Sequence, residues 1–267
     1  MMRVLVTGSA GFVGTHLVQA LEQRGDTVLG LDKKNGEDLA DRSADWARIS
    51  AVSFGPEVIV HLASVCSTPG SVRDPLGTFE DTVTSAATVL EAARMGDIPV
   101  VLTSSVKARD GMTPYGAAKR MVELWAQEYE TAYDLPVVIN RPGTIYGPGQ
   151  EGSEDSGWIA WFCKARAEGL PVVINGTGTQ LRDLLHVSDY VRLLLLQVDN
   201  IGTYRGHIWD VGGGATNTVS VAQMAAHLKL RATYGPARYG DAAIYVGDNG
   251  VPGWGPEIDW RKSETLR

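Results

Sequence analysis

Cysteine is scarce: Cys66 and Cys163 are the only two among 267 residues, far apart and without CxxC spacing. A disulfide framework and a redox dithiol are therefore poor readings, and reduced thiols are expected. The five histidines are scattered as well, so no metal site is expected. Long apolar runs are missing. No stretch reaches the ~18 residues of a membrane-spanning helix, and the N-terminus enters a strand-like run at once, without a charged segment leading into an apolar one. Neither a membrane span nor a signal peptide is expected, and the cytoplasm is the expected compartment. Positive charge is in deficit, with 24 Lys and Arg against 31 Asp and Glu, a formal net charge of −7. That balance argues against nucleic acid or an anionic membrane as partner and leaves small anionic molecules open. There is no internal repeat or low-complexity tract. With 44% hydrophobic and 21% charged residues the composition is that of an ordinary globular protein, long enough for one large core and a small appendage.

The apolar run Arg3-Val4-Leu5-Val6 passes directly into Thr7-Gly8-Ser9-Ala10-Gly11-Phe12-Val13-Gly14, and Phe12, Val13, Leu17 and Leu21 then give a helix its apolar face. Strand, glycine turn and helix in that order make a dinucleotide phosphate site. Gly8 permits the tight turn, Gly11 lets backbone N–H groups approach the pyrophosphate, and Gly14 lets helix and strand pack closely, with the positive helix N-terminus facing the anion. The spacing is GxxGxxG where the usual fingerprint is GxGxxG. Thr27 to Leu31 reads as the second strand and ends at Asp32, whose carboxylate is placed to accept both hydroxyls of an adenosine ribose. Asp32 therefore favours NAD over NADP, because it repels a 2′-phosphate. Lys33 and Lys34 are read as a solvated turn, the alternative being that they hold that phosphate.

Short β-rich runs then alternate with helical patterns: Glu57 to Leu62, a helix over Val83 to Arg94, Pro99 to Thr103, a helix over Pro114 to Tyr133, and Leu135 to Asn140. This rhythm predicts an α/β fold of the Rossmann type, a doubly wound parallel sheet with helices on both faces. Residues 1–150 are assigned to the coenzyme-binding domain, with sheet contributions from about 180–212, and 151–267 mainly to a smaller substrate-binding cap. The glycine turn, Asp32, Leu62 and Ala63, Ser104 and Ser105, and Pro142 all fall at strand ends, where ligands bind in such sheets. Trp125 and Tyr129 are read as core aromatics.

Tyr115 and Lys119 stand at i and i+4, on one face of the helix that begins near Pro114. A phenol is a poor base at neutral pH, and a neighbouring ammonium together with a cationic nicotinamide ring favours the phenolate. Ser105 ends the preceding strand, where its hydroxyl can bond the substrate oxygen that exchanges the proton. These three are the candidate catalytic residues, with Lys119 also counted among the coenzyme contacts.

TGSAGFVG at the start, VIVHLAS at 58–64, TSS at 103–105, YGAAK at 115–119, RPGTIYGPG at 141–149, RDLLHVSD at 182–189 and WDVGGG at 209–214 resemble the extended short-chain dehydrogenase/reductases, specifically the NAD-dependent epimerase/dehydratase family, over about residues 3–260. The resemblance implies bound NAD, a Ser105-Tyr115-Lys119 triad, a nucleotide-sugar substrate, and a homodimer formed through helices at about 80–94 and 114–133. It also assigns Asp38 and Leu39 to the adenine and Arg182 and Arg238 to the substrate diphosphate, where guanidinium forks suit phosphate. Thr144 stands where many relatives place a substrate-binding asparagine. The interval from Ser105 to Tyr115 is compact, and Val106-Lys107 occupies the place of the Asp-Glu pair of dehydratases and the Asp-Lys pair of inverting ones. Val106 has no proton to give; Lys107 is a candidate substrate contact and a base if buried, with a solvated loop lysine the plainer reading. The leading expectation is thus a nucleotide-sugar epimerase, followed by a reductase or dehydratase on the same residues, and then by a non-catalytic nucleotide-binding protein on the same fold.

Overall fold

The computed structural model describes residues 1–41 and 53–266. Strand β1 (Arg3–Thr7), helix α1 (Phe12–Gln23) and β2 (Thr27–Leu31) form the first unit. After β3 (Val58–His61) come α2 (Thr68–Arg73) and α3 (Pro75–Phe79), and one π-helical segment at Glu80–Thr84 leads into α4 (Ser85–Gly96). The helix expected from Val83 thus has its α-helical body two residues later, behind the π segment. Strand β4 (Val100–Thr103), the 20-residue α5 (Pro114–Tyr133) and β5 (Val137–Pro142) follow. Beyond them run β6 (Thr144–Tyr146), α6 (Trp158–Glu168), β7 (Val172–Asn175), β8 (Leu181–His186), α7 (Val187–Asp199), α8 (Ile201–Tyr204) and β9 (Ile208–Val211). The chain closes with β10 (Thr218–Ser220), α9 (Val221–His227), β11 (Ala232–Gly235) and β12 (Ile244–Tyr245).

The main sheet has the order β2-β1-β3-β4-β5-β9, and every pairing in it is parallel. Because both faces are covered, the central strands β1, β3 and β4 read as nearly continuous apolar runs rather than alternating ones. Val4, Val6, Val58, Val60, Val101 and Val138 face one side and pack on α1 and α7. Leu5, Ile59, Val100, Leu102, Val137 and Ile139 face the other and pack on α4 and α5. A fully buried leucine or valine contributes about 1.5–3 kcal/mol, so these two layers carry most of the fold's cohesion. A third cluster, with Tyr146, Phe162, Val172, Ile174, Leu184 and Met224, lies among the later elements. There β6, β8, β10 and β12 form one small sheet, and β7 pairs with β11.

Strand order reverses at β1, with β2 on one side and β3 on the other, so the glycine turn after β1 opens onto the switch point where ligands bind in such sheets. Helix α5 buries Tyr115, Lys119, Val122, Glu123 and Ala126 on its inner face. Trp125 departs from the core expectation, being 50% exposed, and Tyr129 is only partly buried. Both lie on the flank of α5 rather than toward the sheet, in an aromatic row where Trp125, Tyr129 and Tyr133 have ring centroids 5.8 and 5.2 Å apart. Among the described residues no helix is long and apolar enough to cross a membrane.

Candidate active site

Every residue singled out in the sequence as a site candidate lines one cleft of about 1430 Å³. At its coenzyme end the glycines are fixed by the backbone around them. Gly8 has a left-handed φ of 72°, and a Cβ there would stand 2.8 Å from the Ala63 nitrogen; at Gly14 it would stand 2.0 Å from the Gly8 carbonyl oxygen. Gly11 is the N-cap of α1 and supplies no capping side chain, so the first N–H groups of Phe12, Val13 and Gly14 remain for an anion. The opposite wall, Leu62 and Ala63, is held to β1 by Leu62 N donating to the Thr7 carbonyl (3.1 Å) and Ala63 N to Thr7 Oγ1 (3.4 Å). His61 below shares a 2.8 Å hydrogen bond with Thr7, and burial drives its pKa down to about 3, so it is a neutral structural imidazole.

Asp32 is 9% exposed, and its two oxygens accept from Ala10 N and Lys34 N, each at 2.9 Å. This pins the carboxylate at the end of β2. Lys33 reaches Asp81 (2.8 Å) and Asp38 (3.1 Å), and hydrogen bonds to the two carboxylates raise its pKa. Lys34 donates to the Ala10 carbonyl at 3.2 Å. Both lysines are exposed, as a solvated turn predicts, with Lys33 paired across the acidic rim. Leu39 is buried and packs on the α4 side of the sheet while lining the cleft. The glycine cradle, the Asp32 carboxylate at the end of β2 and the acidic rim together fit NAD.

At the other end, Thr113 caps α5 by accepting from Gly116 N (3.1 Å), and Pro114 opens the helix, which puts Tyr115 in its first turn. A Cβ at Gly116 would stand 2.6 Å from the Lys107 carbonyl oxygen, so helix and Ser105 turn pack backbone to backbone. Tyr115, Lys119 and Ser105 are all buried, at 9%, 5% and 8% exposure. Burial pushes the Tyr115 phenol well above its ordinary range, and its hydrogen bond with Ser105 pulls the other way. Burial likewise lowers Lys119 to about 8, against the opposing pull of Cys66 and Glu123. The Lys119 ammonium donates to the Thr103 carbonyl at 2.8 Å. For the phenol, desolvation outweighs the Ser105 hydrogen bond.

Lys107 corrects the solvated-loop reading. It is half-buried, donates to Thr68 Oγ1 at 2.6 Å and lies 5.7 Å from the centre of the Tyr245 ring, and burial lowers its pKa. The compact turn after Ser105 turns this side chain into the cleft. Arg182 stacks on the same ring at 4.8 Å and is paired with Asp241 at 2.5 Å; Arg238 donates to the Glu154 carbonyl at 2.7 Å. Thr144 and Pro142 line the cleft where β5 passes into β6.

Sequence reasoning missed several contributors. Glu123, one turn beyond Lys119, accepts from Ser104 and takes both arms of Arg141 at 2.7 and 2.6 Å, which braces the strand end that presents Ser105. The YGAAK spacing extended by one turn would have pointed to it. Cys66 sits within electrostatic reach of Tyr115 and Lys119, and Glu37 accepts from Asp32 N at 2.8 Å; no motif marked either.

Comparison with known proteins agrees with this geometry. The chain is 31% identical to the UDP-glucose 4-epimerase of Mycolicibacterium smegmatis, over 96% of this chain and 94% of that one. Among solved structures it resembles the UDP-glucose 4-epimerase of Thermus thermophilus in complex with NAD, with TM-score 0.87 and 26% identity over 99% of this chain and 97% of that one. It also resembles the dTDP-glucose 4,6-dehydratase of Streptomyces venezuelae with NAD bound, with TM-score 0.88 and 25% identity over 100% of this chain and 96% of that one. A family model described as the NAD dependent epimerase/dehydratase family matches residues 4–212. The chain belongs to that family of enzymes, and its coenzyme is NAD.

Proposed function

We propose that this protein is a nucleotide-sugar epimerase that works through a transient keto-sugar while keeping its coenzyme bound. The observation that carries this reading is the meeting, in one cleft, of the glycine cradle, the buried Ser105-Tyr115-Lys119 group and a wall of cations. Tyr115 takes the proton from a sugar hydroxyl and later returns it, Ser105 holds the same hydroxyl oxygen, and the Lys119 ammonium favours the ionised phenol. Bound NAD supplies the hydride acceptor and donor. Arg182, Arg238 and Lys107 hold the diphosphate, with Asp241 neutralising part of the charge on Arg182. Thr144 contacts the sugar. Leu62, Ala63 and Pro142 pack around the dinucleotide, and Asp38 and Leu39 flank its adenine.

Dehydration fits less well, because Val106, next after Ser105, bears no acid to expel water. A reductase would use the same triad once and consume coenzyme. We place the boundary of the coenzyme domain near residue 150, with β9 returning to its sheet, and the substrate cap after it. We further infer a soluble, cytoplasmic homodimer. Leu76, Phe79, Met121, Leu124 and Trp125 are 66%, 43%, 47%, 55% and 50% exposed on α3 and α5, an apolar face of the kind that pairs with a second copy. Chromatography coupled to mass spectrometry after incubation with UDP-, dTDP-, CDP- and GDP-hexoses tests the reaction. A product of unchanged mass and shifted retention time is expected, whereas loss of water or stoichiometric coenzyme turnover would refute epimerisation.

A further inference from the structure

We propose that Glu37 is a second coenzyme-selecting carboxylate, acting with Asp32 to exclude a dinucleotide that carries a 2′-phosphate. The inference rests on the NAD site described above and concerns its ribose end. Gly36, in a left-handed conformation with φ 89°, turns the chain back after the short helical turn Lys33–Asn35. Glu37 N then donates to the Asp32 carbonyl (3.2 Å), and Glu37 Oε2 accepts from Asp32 N (2.8 Å). This reciprocal pair places a second carboxylate against the backbone of the ribose-facing aspartate, half-buried and lining the same cleft.

The lysines next in sequence do not offset it. Lys33 is committed to Asp38 and Asp81, and Lys34 donates to the Ala10 carbonyl. Among the described residues around the ribose end, the carboxylates of Asp32, Glu37, Asp38 and Asp81 outnumber the ammonium groups of Lys33 and Lys34. A 2′-phosphate would meet an excess of carboxylates among these described groups, with Lys33 already paired to Asp38 and Asp81. Removing Asp32 alone would leave Glu37 in place, so that change costs NAD affinity without creating a phosphate site.

Isothermal titration of the full chain with NAD and with NADP tests this without any substrate. Glu37→Gln keeps an amide oxygen for Asp32 N while removing the charge. It is expected to narrow the NADP-to-NAD ratio of Kd by about tenfold, nearly all through tighter NADP. Raising the salt concentration should narrow the ratio more in the wild type than in the variant. Asp32→Asn combined with Glu37→Gln should bind NADP better than Asp32→Asn alone. An unchanged ratio in Glu37→Gln, equal weakening of both dinucleotides, or a double variant no better than Asp32→Asn would each overturn the proposal while the NAD assignment stands. A wild-type chain that binds neither dinucleotide would overturn that assignment itself.

Discussion

Lys119 shows how a reactive residue is kept at a cost to the fold. Its ammonium is buried and donates to one carbonyl, that of Thr103, and burial lowers its pKa from 10.5 to about 8. Below pH 8 both folded and unfolded chains carry the proton, and the folded state bears the full cost of a desolvated charge. As pH rises from about 8 to 10.5 the folded chain loses the proton first, and stability attributable to this residue increases. Replacing it by methionine is expected to stabilise the protein at pH 7 by about 1–3 kcal/mol while abolishing turnover. Thermal melts at pH 7 and pH 10 check this, since the gain should shrink toward zero at the higher pH. At this scale the sequence was informative about which residues meet and less so about their charge state. Tyr115 and Lys119 follow from helical spacing and Ser105 from its strand end. That burial outweighs the Ser105 hydrogen bond in setting the phenol, and that Lys107 is held by Thr68 across the cleft, depend on packing between segments far apart in the chain.

At the scale of elements, the glycine turn was the most legible feature because its residues answer to local geometry. Gly14 lets α1 approach β1 so closely that an added Cβ would lie 2.0 Å from the Gly8 carbonyl oxygen. Gly14→Ala should therefore destabilise the fold by about 2–4 kcal/mol and weaken NAD binding by tenfold or more. Urea unfolding and NAD titration of the same preparation would show both losses together. The strands were legible too, since doubly covered parallel strands read as short apolar runs between turns. The flank of α5 was not. Trp125 has the same helical periodicity as a core residue, yet that flank faces outward because Val122, Glu123 and Ala126 already fill the side toward the sheet. The Glu123 brace was equally hidden, since it joins β4, α5 and β5 through contacts that exist only once the sheet has formed.

For the whole molecule, two faces matter: the cleft and the apolar surface over α3 and α5. Exposed Leu76, Phe79, Leu124 and Trp125 predict association, so light scattering should give twice the chain mass for the wild type. Trp125→Glu, which places a charge on that surface, should shift the mass toward the monomer with secondary structure retained. Epimerisation concerns the cleft, and it requires Tyr115 to work beside the bound coenzyme. The most direct test is to compare wild type and Tyr115→Phe, both loaded with NAD, for conversion of a nucleotide hexose to its isomer. The wild type should form the isomer with no net change in coenzyme, and the variant should keep its NAD while losing roughly a hundredfold or more in rate. Undiminished isomer formation by Tyr115→Phe would contradict the account.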